Sequence, residues 1–460
     1  MDTIVIQNCK NFIHEIMNFM RDPNIIKIDE LEDGLKDITF DFILKMMRAY
    51  IENHDKEIKA DKKWRRKRQI VVERNRDKRE LFTRFGQLTY YRTYFHDKKN
   101  NTYIYLTDEV LGVAPYDRVS ATVSADIAEH ASDNSYGKSS QYVTDGQVSR
   151  QTVMNKTRKL KQEKLEIKAI GPKRKVPVIH IDADEDHVAL QDGKKTIVPL
   201  ITIYDGTKRA GKRGECINPH HIHGYGLNRE DTWLKVANYI YDRYDSESIK
   251  RIYIHGDGAG WIKTGQGWLP KSKMVLDKYH LNKAILGSTA GQEDYRKPIY
   301  QSIYECNWSK FNELVEKLKK GAQTPQKLKK VKEFKIYIRN NWEAITIYKE
   351  EGVSGSCTEG HISHVLSSRF SSRPMGWSEK GLKAIADIRI YCQNGGKITP
   401  DHFKKTNQQY RVKKETIKKA KQAFGKTTHE NLNNIPAFNM GKKTPVSILL
   451  KGIQRSGYVI

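Results

Sequence analysis

Two hydrophobic rhythms alternate along this chain. Over the first 55 residues, apolar side chains return every three or four positions: Phe12, Ile13, Ile16, Met17 and Met20, then Phe40, Phe42, Ile43, Met46 and Met47. That spacing predicts amphipathic helices. The stretch FTRFGQLTYYRTYFHDKKNNTYIYL instead alternates aromatic and polar residues about a turn at Asp97–Asn101, which reads as a β-hairpin. Helical spacing returns over 120–165. There YGKSSQYVTDGQVSRQTVMNKTRKL holds a short helix, a Thr-Asp-Gly turn and a second helix capped by Ser149.

From Val176 the pattern becomes β-branched. VPVIHIDADEDHVAL and TIVPLITIYDG read as strands, GECINPHHIHG as a loop, and DTWLKVANYIYDRYD as a helix. SIKRIYIHGDGAGWIK gives a third strand that ends in HGDG, and KMVLDKYHLNKAI a short strand running into a helix. The order predicts an α/β core. Lys-rich helical runs over 281–350, such as WSKFNELVEKLKK, interrupt it as an insertion. The expected parts are 1–118 (helices and hairpin), 119–170 (helix-turn-helix-like), 171–280 (first part of the core), 281–350 (insertion), 351–395 (last part of the core) and 396–460 (basic tail).

Composition narrows the partners. Hydrophobic residues make up 38% of 460, enough for a sizeable core. Lys and Arg outnumber Asp and Glu by 82 to 55, a net charge of +27, which points to a polyanion, nucleic acid being the commonest. The basic run DKKWRRKRQ reads equally as a solvated helix face or as a nucleic-acid contact. In the helix-turn-helix-like segment, Arg150, Gln151, Thr152 and Asn155 stand near the start of the second helix, where side chains reach base edges. The same packing also occurs in plain helical domains. Five scattered cysteines without a CxxC argue against a disulfide framework or a zinc ribbon and suit a reducing cytosol. With no signal-peptide layout and no apolar run near the ~18 residues of a membrane span, the expectation is a soluble, cytoplasmic protein.

Against this positive background, four acids close together (Asp182, Asp184, Glu185, Asp186) need a reason. Like charges in one place are costly unless a cation or a proton neutralises them. Asp182 and Asp184 share a strand face, and Asp257 stands between glycines after another apolar strand. Carboxylates on neighbouring strands suit Mg²⁺ (or Mn²⁺), a hard ion that takes oxygen ligands and keeps positions open for phosphates. A third carboxylate should follow the insertion, and TEGHISHVLSSRF offers Glu359 in a helical stretch. A Glu near a helix start also has an explanation in the helix dipole. Cys216, His220, His221 and His223, spaced C-x3-H-H-x-H around Pro219, match no standard zinc site and read as a polar loop.

The segments VPVIHIDADEDHVALQ, RIYIHGDGAGWIK, VLDKYHLNKAI and EGHISHVLSSRFSSRPMGWS make the chain resemble bacterial insertion-sequence transposases of the DDE type. That family has long been catalogued as an uncharacterised protein family and is distantly similar to Mutator-like transposases. The resemblance implies a ribonuclease H-like core interrupted before its last catalytic Glu, and a basic N-terminal DNA-binding region. It implies a triad Asp184, Asp257 and Glu359, with Asp182 as the alternative first acid. It also likens Asp277 and His280 of DKYH to the Cys/Asp-x-x-His signature, with a role in DNA contact or positioning. The implied activity is Mg²⁺-dependent cleavage of element ends and joining of the 3′-hydroxyl to target DNA. The partner would be double-stranded DNA, bound by a homo-oligomer in the nucleoid. Two other readings stand beside it: a two-metal nuclease that cuts without joining, and a non-catalytic DNA-binding regulator.

Overall fold

The computed structural model describes residues 2–22, 24, 27–160, 162–167, 171–210, 213–350, 353, 356–373 and 375–403. The basic tail lies outside these residues beyond 403, as do positions 168–170 of the linker before the second half. Chain contacts divide the described residues into two units. One is formed by residues up to Leu165 together with 397–403, the other by Glu166–Gly396.

In the first unit, helix α1 (Asp2–Met20) packs along α2 (Ile28–Ala60), with Phe12 stacked on Phe42 at 4.3 Å between ring centres. The basic run forms α3 (Lys62–Lys67), capped by Asp61, which accepts a hydrogen bond from the Trp64 N–H at 2.9 Å. Arg65 leaves the solvated face. It is buried and donates to the Lys59 carbonyl at 2.7 Å, so part of this charge is structural.

A three-stranded antiparallel sheet follows: β1 (Ile70–Thr83), β2 (Gly86–Asp97) and β3 (Thr102–Ile104). The turn at 97–101 does join two strands, but the main hairpin is β1–β2, and β1 corrects the reading of this stretch. ERNRDKRE, within β1, has no hydrophobic alternation to announce it. Its middle is exposed, interrupted by two register shifts, and Arg76 there has φ +58°. Buried Asp55 on α2 ties the layers together. It accepts from the Thr93 N–H (2.8 Å) and hydroxyl (2.6 Å) and from the Thr107 hydroxyl (2.6 Å) on α4 (Leu106–Leu111).

Helices α5 (Ala121–Asp133), α6 (Tyr136–Thr144) and α7 (Arg150–Lys159) complete this unit. The expected turn is present. Asp145 and Gly146 are left-handed at φ +48° and +76°, and Ser149 caps α7 by accepting from the Thr152 N–H at 3.2 Å. Val153 and Thr157 face inward, while Arg150, Gln151 and Asn155 are exposed.

The second unit is built on a five-stranded sheet with strands β4 (Val178–Ala189), β5 (Lys195–Tyr204), β8 (His220–His223), β9 (Arg251–Gly256) and β10 (Ser272–Leu276). Their order is β10-β9-β4-β5-β8. β5 runs antiparallel to both of its neighbours, β4 and β8, whereas β9 and β10 run parallel to β4. A small hairpin, β6 (Thr207–Ala210) and β7 (Arg213–Cys216), precedes β8. Helix α8 (Arg229–Arg243) makes the crossover to β9.

β4 runs through all four acids to Ala189, as the reading of VPVIHIDADEDHVAL as one strand expects, and one other expectation needs correction here. GECINPHHIHG is not a loop. It contains β7 and the edge strand β8.

Short turns α9 (Gly260–Lys263) and α10 (Gly265–Trp268) link β9 to β10, and α11 (Lys278–Thr289) leads into the helical insertion. That insertion comprises α12 (Arg296–Tyr304), α13 (Trp308–Lys320), α14 (Pro325–Asn340) and α15 (Trp342–Thr346). Its buried residues Phe311, Val315, Val331, Phe334 and Ile338 continue the hydrophobic core formed by Ile181, Ile201, Ile254 and Leu276. Beyond it, α16 (Thr358–His361), a wider π-helical stretch (Ile362–Ser367) and α17 (Ser368–Phe370) form one helical run, and α18 (Glu379–Gln393) closes the unit.

Candidate functional site

The alternation of β4 decides what its two faces carry. Ile179, Ile181 and Ala183 belong to the hydrophobic core, so His180, Asp182, Asp184 and Asp186 share the opposite face. That second face is polar and aromatic. The His180 ring is stacked near Tyr204, Tyr253 and His255, and its Nδ1 lies 3.3 Å from His255 Nε2. Burial holds His180 down to about 4 and keeps His255 below its ordinary value, so both are neutral at pH 7.

β4 and β9 pair in parallel with Asp182 opposite His255. Asp184 and Asp257 each lie two residues beyond that pair, Asp257 just past the end of β9, and both carboxylates act electrostatically on Glu185 and on His280. Glycine is required for the close approach of the two strands. A Cβ on Gly256 would lie 3.1 Å from the Ala183 carbonyl oxygen and 2.8 Å from Ile262. Gly258, at φ +90°, would drive a Cβ to 2.2 Å from Asn341 Oδ1. Between them Asp257 accepts the Ala259 N–H at 2.8 Å, and Tyr337 of the insertion donates its hydroxyl proton to the Asp257 carbonyl at 3.0 Å.

Around this pair the charges are interdependent. His280 Nε2 is 3.7 Å from Asp184 Oδ2. The Asp184 carboxylate, helped by Asp277 and Asp257, holds the imidazolium above the ordinary histidine range against the opposing effect of burial. Glu185 accepts from Trp261 Nε1 at 3.0 Å. Burial pushes its carboxyl up, and the negative charges of Asp257 and Asp184 add to that. Asp277, 3% exposed, caps α11 by accepting the N–H groups of Tyr279 (2.6 Å) and His280 (3.3 Å), and it also receives the Ser356 hydroxyl. Asp277 is therefore tied to the helix start, and of the two DKYH residues it is His280 that turns to the acid pair.

The other expected residues fall elsewhere. Asp182, 2% exposed, accepts from the Tyr204 hydroxyl (3.1 Å) and the Cys357 N–H (2.9 Å). Asp186 is buried and accepts from the Ser371 hydroxyl at 2.8 Å. Glu359 stands exposed in the first turn of α16, and its side chain makes no hydrogen bond or ion pair with another described residue. Among the described residues, no three of His, Cys, Asp and Glu stand ready to hold an ion. Asp184 and Asp257 thus share Glu185 and His280 as electrostatic neighbours, and Glu359 completes no group of three with them among the described residues.

The histidines near Cys216 also diverge. His220 stacks on Tyr239 at 3.8 Å, His221 pairs with the Thr202 hydroxyl at 2.9 Å, and His223 with Asp387 at 2.8 Å. Sequence reasoning missed the contacts of Trp261 with Glu185 and of His361 with Asp182. Both link residues more than 70 positions apart and leave no local signal.

A family profile described as "Uncharacterised protein family (UPF0236)" matches residues 21–409. The chain belongs to the UPF0236 family. A UPF0236 protein of Caldanaerobacter subterraneus subsp. tengcongensis is 39% identical over 460 residues, covering 98% of each chain. A second from that organism, whose name joins eleven locus designations, is also 39% identical with the same coverage. The "UPF0236 protein in vanSb 3'region" of Streptococcus gallolyticus is 24% identical over 80% of this chain and 83% of its own. Among solved structures, the Drosophila P element transposase strand transfer complex matches with a TM-score of 0.23 and 11% identity, over 65% of this UPF0236 chain and 86% of its own. No described helix of the UPF0236 protein is long and apolar enough to cross a membrane.

Proposed function

We propose that this UPF0236 protein is a DDE-type DNA transposase, which cleaves the ends of a mobile element and joins the freed 3′-hydroxyl to target DNA. The observation that supports the reading is the parallel pairing of β4 and β9, which ends at Asp182 and His255, with Asp184 and Asp257 each two residues beyond it and His280 under the influence of both. The strand order β10-β9-β4-β5-β8, with one antiparallel half and one parallel half, supports a ribonuclease H-like core. The net charge of +27 supports a DNA partner. A relative whose single name covers eleven loci in one genome supports a sequence that spreads by copying.

The donors at the site are carboxylate oxygens, which suit Mg²⁺ or Mn²⁺, and Glu185, raised by burial first and then by the charges of Asp257 and Asp184, fits a place that takes positive charge. The fit extends to two ligands of the expected three: Asp184 and Asp257 would hold the ion, while Glu359 must come to them. Such an ion lowers the pKa of an attacking water and stabilises the leaving oxygen of a phosphodiester. The protein's own groups do the rest. His280 orients the Asp184 carboxylate, and the Asp277 cap fixes the helix that carries His280. Exposed Arg150, Gln151 and Asn155 on α7 meet the DNA, and the basic surface supplies phosphate contacts whose strength falls with salt.

The test is a plasmid carrying the element's ends, incubated with Mg²⁺ or Mn²⁺. Wild type should nick at the ends and, given a pre-cut end, join it to target DNA. Asp257→Asn should bind the ends and cut nothing. Cleavage without joining would leave a nuclease, and undiminished cleavage by Asp257→Asn would remove the site.

A further inference from the structure

The acid expected as an alternative metal ligand has a different occupation. Asp182 lies on the same strand face as Asp184, two residues before it, but its carboxylate is enclosed rather than open. Tyr204 donates to Oδ1 at 3.1 Å. The other oxygen, Oδ2, receives the Cys357 N–H at 2.9 Å, and His361 Nδ1 lies 3.2 Å from it, off the hydrogen-bond line. Cys357 and His361 are the residues two before and two after Glu359. On its far side the His361 ring is held as well, with Nε2 3.7 Å from Cys216 Sγ and its edge against His221. One buried carboxylate thus meets both flanks of the turn that bears Glu359, by a hydrogen bond at Cys357 and by close approach at His361.

We infer that Asp182 is a positioning residue: it anchors the start of α16 to the central strand and so sets where Glu359 can move, without binding the ion itself. The carboxylate accepts at both oxygens, from Tyr204 at Oδ1 and from Cys357 at Oδ2, whereas an amide offers a single acceptor and keeps one of the two bonds. A buried carboxylate without these donors would be costly, which makes the arrangement specific to its partners. Strand β4 then serves both ends of the site, carrying the first acid at Asp184 and the tether of the third at Asp182. The functional consequence rests on the transposase reading, while the tether itself does not.

The experiment measures three quantities in the full-length protein and in Asp182→Ala, Asp182→Asn and Asp184→Asn. The first is the rate at which N-ethylmaleimide alkylates Cys357, resolved by peptide mass spectrometry, since that thiol reports whether the start of α16 is held. The second is Mn²⁺ affinity by electron paramagnetic resonance. The third is end cleavage, separated into kcat and KM. The expected result is about tenfold faster alkylation in Asp182→Ala, the change that follows loss of one charge-assisted hydrogen bond. Asp182→Asn, which still accepts the Cys357 N–H, should recover most of the protection. Mn²⁺ affinity should stay at the wild-type value in both and fall only in Asp184→Asn, with kcat dropping and KM unchanged in Asp182→Ala.

Loss of Mn²⁺ affinity in Asp182→Asn equal to that in Asp184→Asn would make Asp182 a ligand and overturn the inference. Unchanged alkylation in Asp182→Ala would overturn it too. Should Asp182→Ala not fold, Asp182→Asn alone carries the comparison through its Mn²⁺ affinity. If the labelling shifts as expected while wild type cuts no DNA, the tether stands and the transposase reading fails.

Discussion

Strands β1 and β4 each carry a dense run of charge and handle it in opposite ways. In β1 the two signs are mixed, and exposed charges pair with near neighbours, although Arg79 reaches the Ala114 and Asp117 carbonyls. Arg74 pairs with Asp77 at 2.6 Å and Lys78 with Glu80 at 2.6 Å. In β4 the four acids share one sign and sit at the centre of a sheet, so each recruits help from far along the chain. Asp182 draws on Tyr204 and Cys357, Asp184 on His280, Glu185 on Trp261, and Asp186 on Ser371. Balanced surface charge stabilises little and constrains little. Unbalanced buried charge organises the structure around it.

That contrast can be broken experimentally. The largest effect should come from Asp184→Asn, which is expected to lower end cleavage on the order of 1,000-fold, the several kcal/mol a bound ion contributes, with little change in the melting curve. Charge-neutralising changes in β1 should leave the chemical step alone and alter only the salt dependence of DNA binding.

Acid should come next. His180 titrates near 4 in the folded second unit and His220 and His221 near 3, against an ordinary 6.5, so below pH 6.5 the unfolded chain binds more protons than the folded one. Stability is then complete above about pH 6.5 and falls as pH drops toward 4, by about 3 kcal/mol for His180 alone. His280, raised by Asp184, works the other way: its contribution is present below pH 6.5 and is lost as pH rises through its folded value. Calorimetry from pH 8 to 4 checks the net sign, and a melting temperature that holds steady down to pH 4.5 would refute the neutral histidine layer.

Tyr204→Phe removes one donor from Asp182 and should cost about 1–2 kcal/mol by denaturant titration, since it leaves a buried acceptor short of a partner. The smallest effect is expected from Arg74→Ala on β1, where the melting temperature should not move measurably. A large loss there would mean that β1's charges hold the sheet together after all.

The same contrast sets what could be read from the residues. The helix-turn-helix-like layout of α6 and α7 was legible down to the Ser149 cap, because helix spacing and turn chemistry are local signals. The β-branched strands and the helical run of 281–350 were legible for the same reason. Strand β1 was not, since ERNRDKRE offers neither apolar alternation nor turn residues. β7 and β8 were not, because four-residue strands interleaved with Pro219 and histidines resemble a loop. At the site, the sharing of a face by Asp182 and Asp184 followed from strand periodicity. What could not follow was the difference between their partners. It depends on Cys357, His361 and His280, which only the folded chain brings near.

The helical insertion has a mechanical consequence. Tyr337 on α14 donates to the backbone of Asp257, Asn341 fills the space over Gly258, and Tyr348 just beyond α15 bonds to the Leu276 carbonyl at the end of β10. A load on those helices is therefore passed through these bonds to the turn that carries Asp257 and to the end of β10.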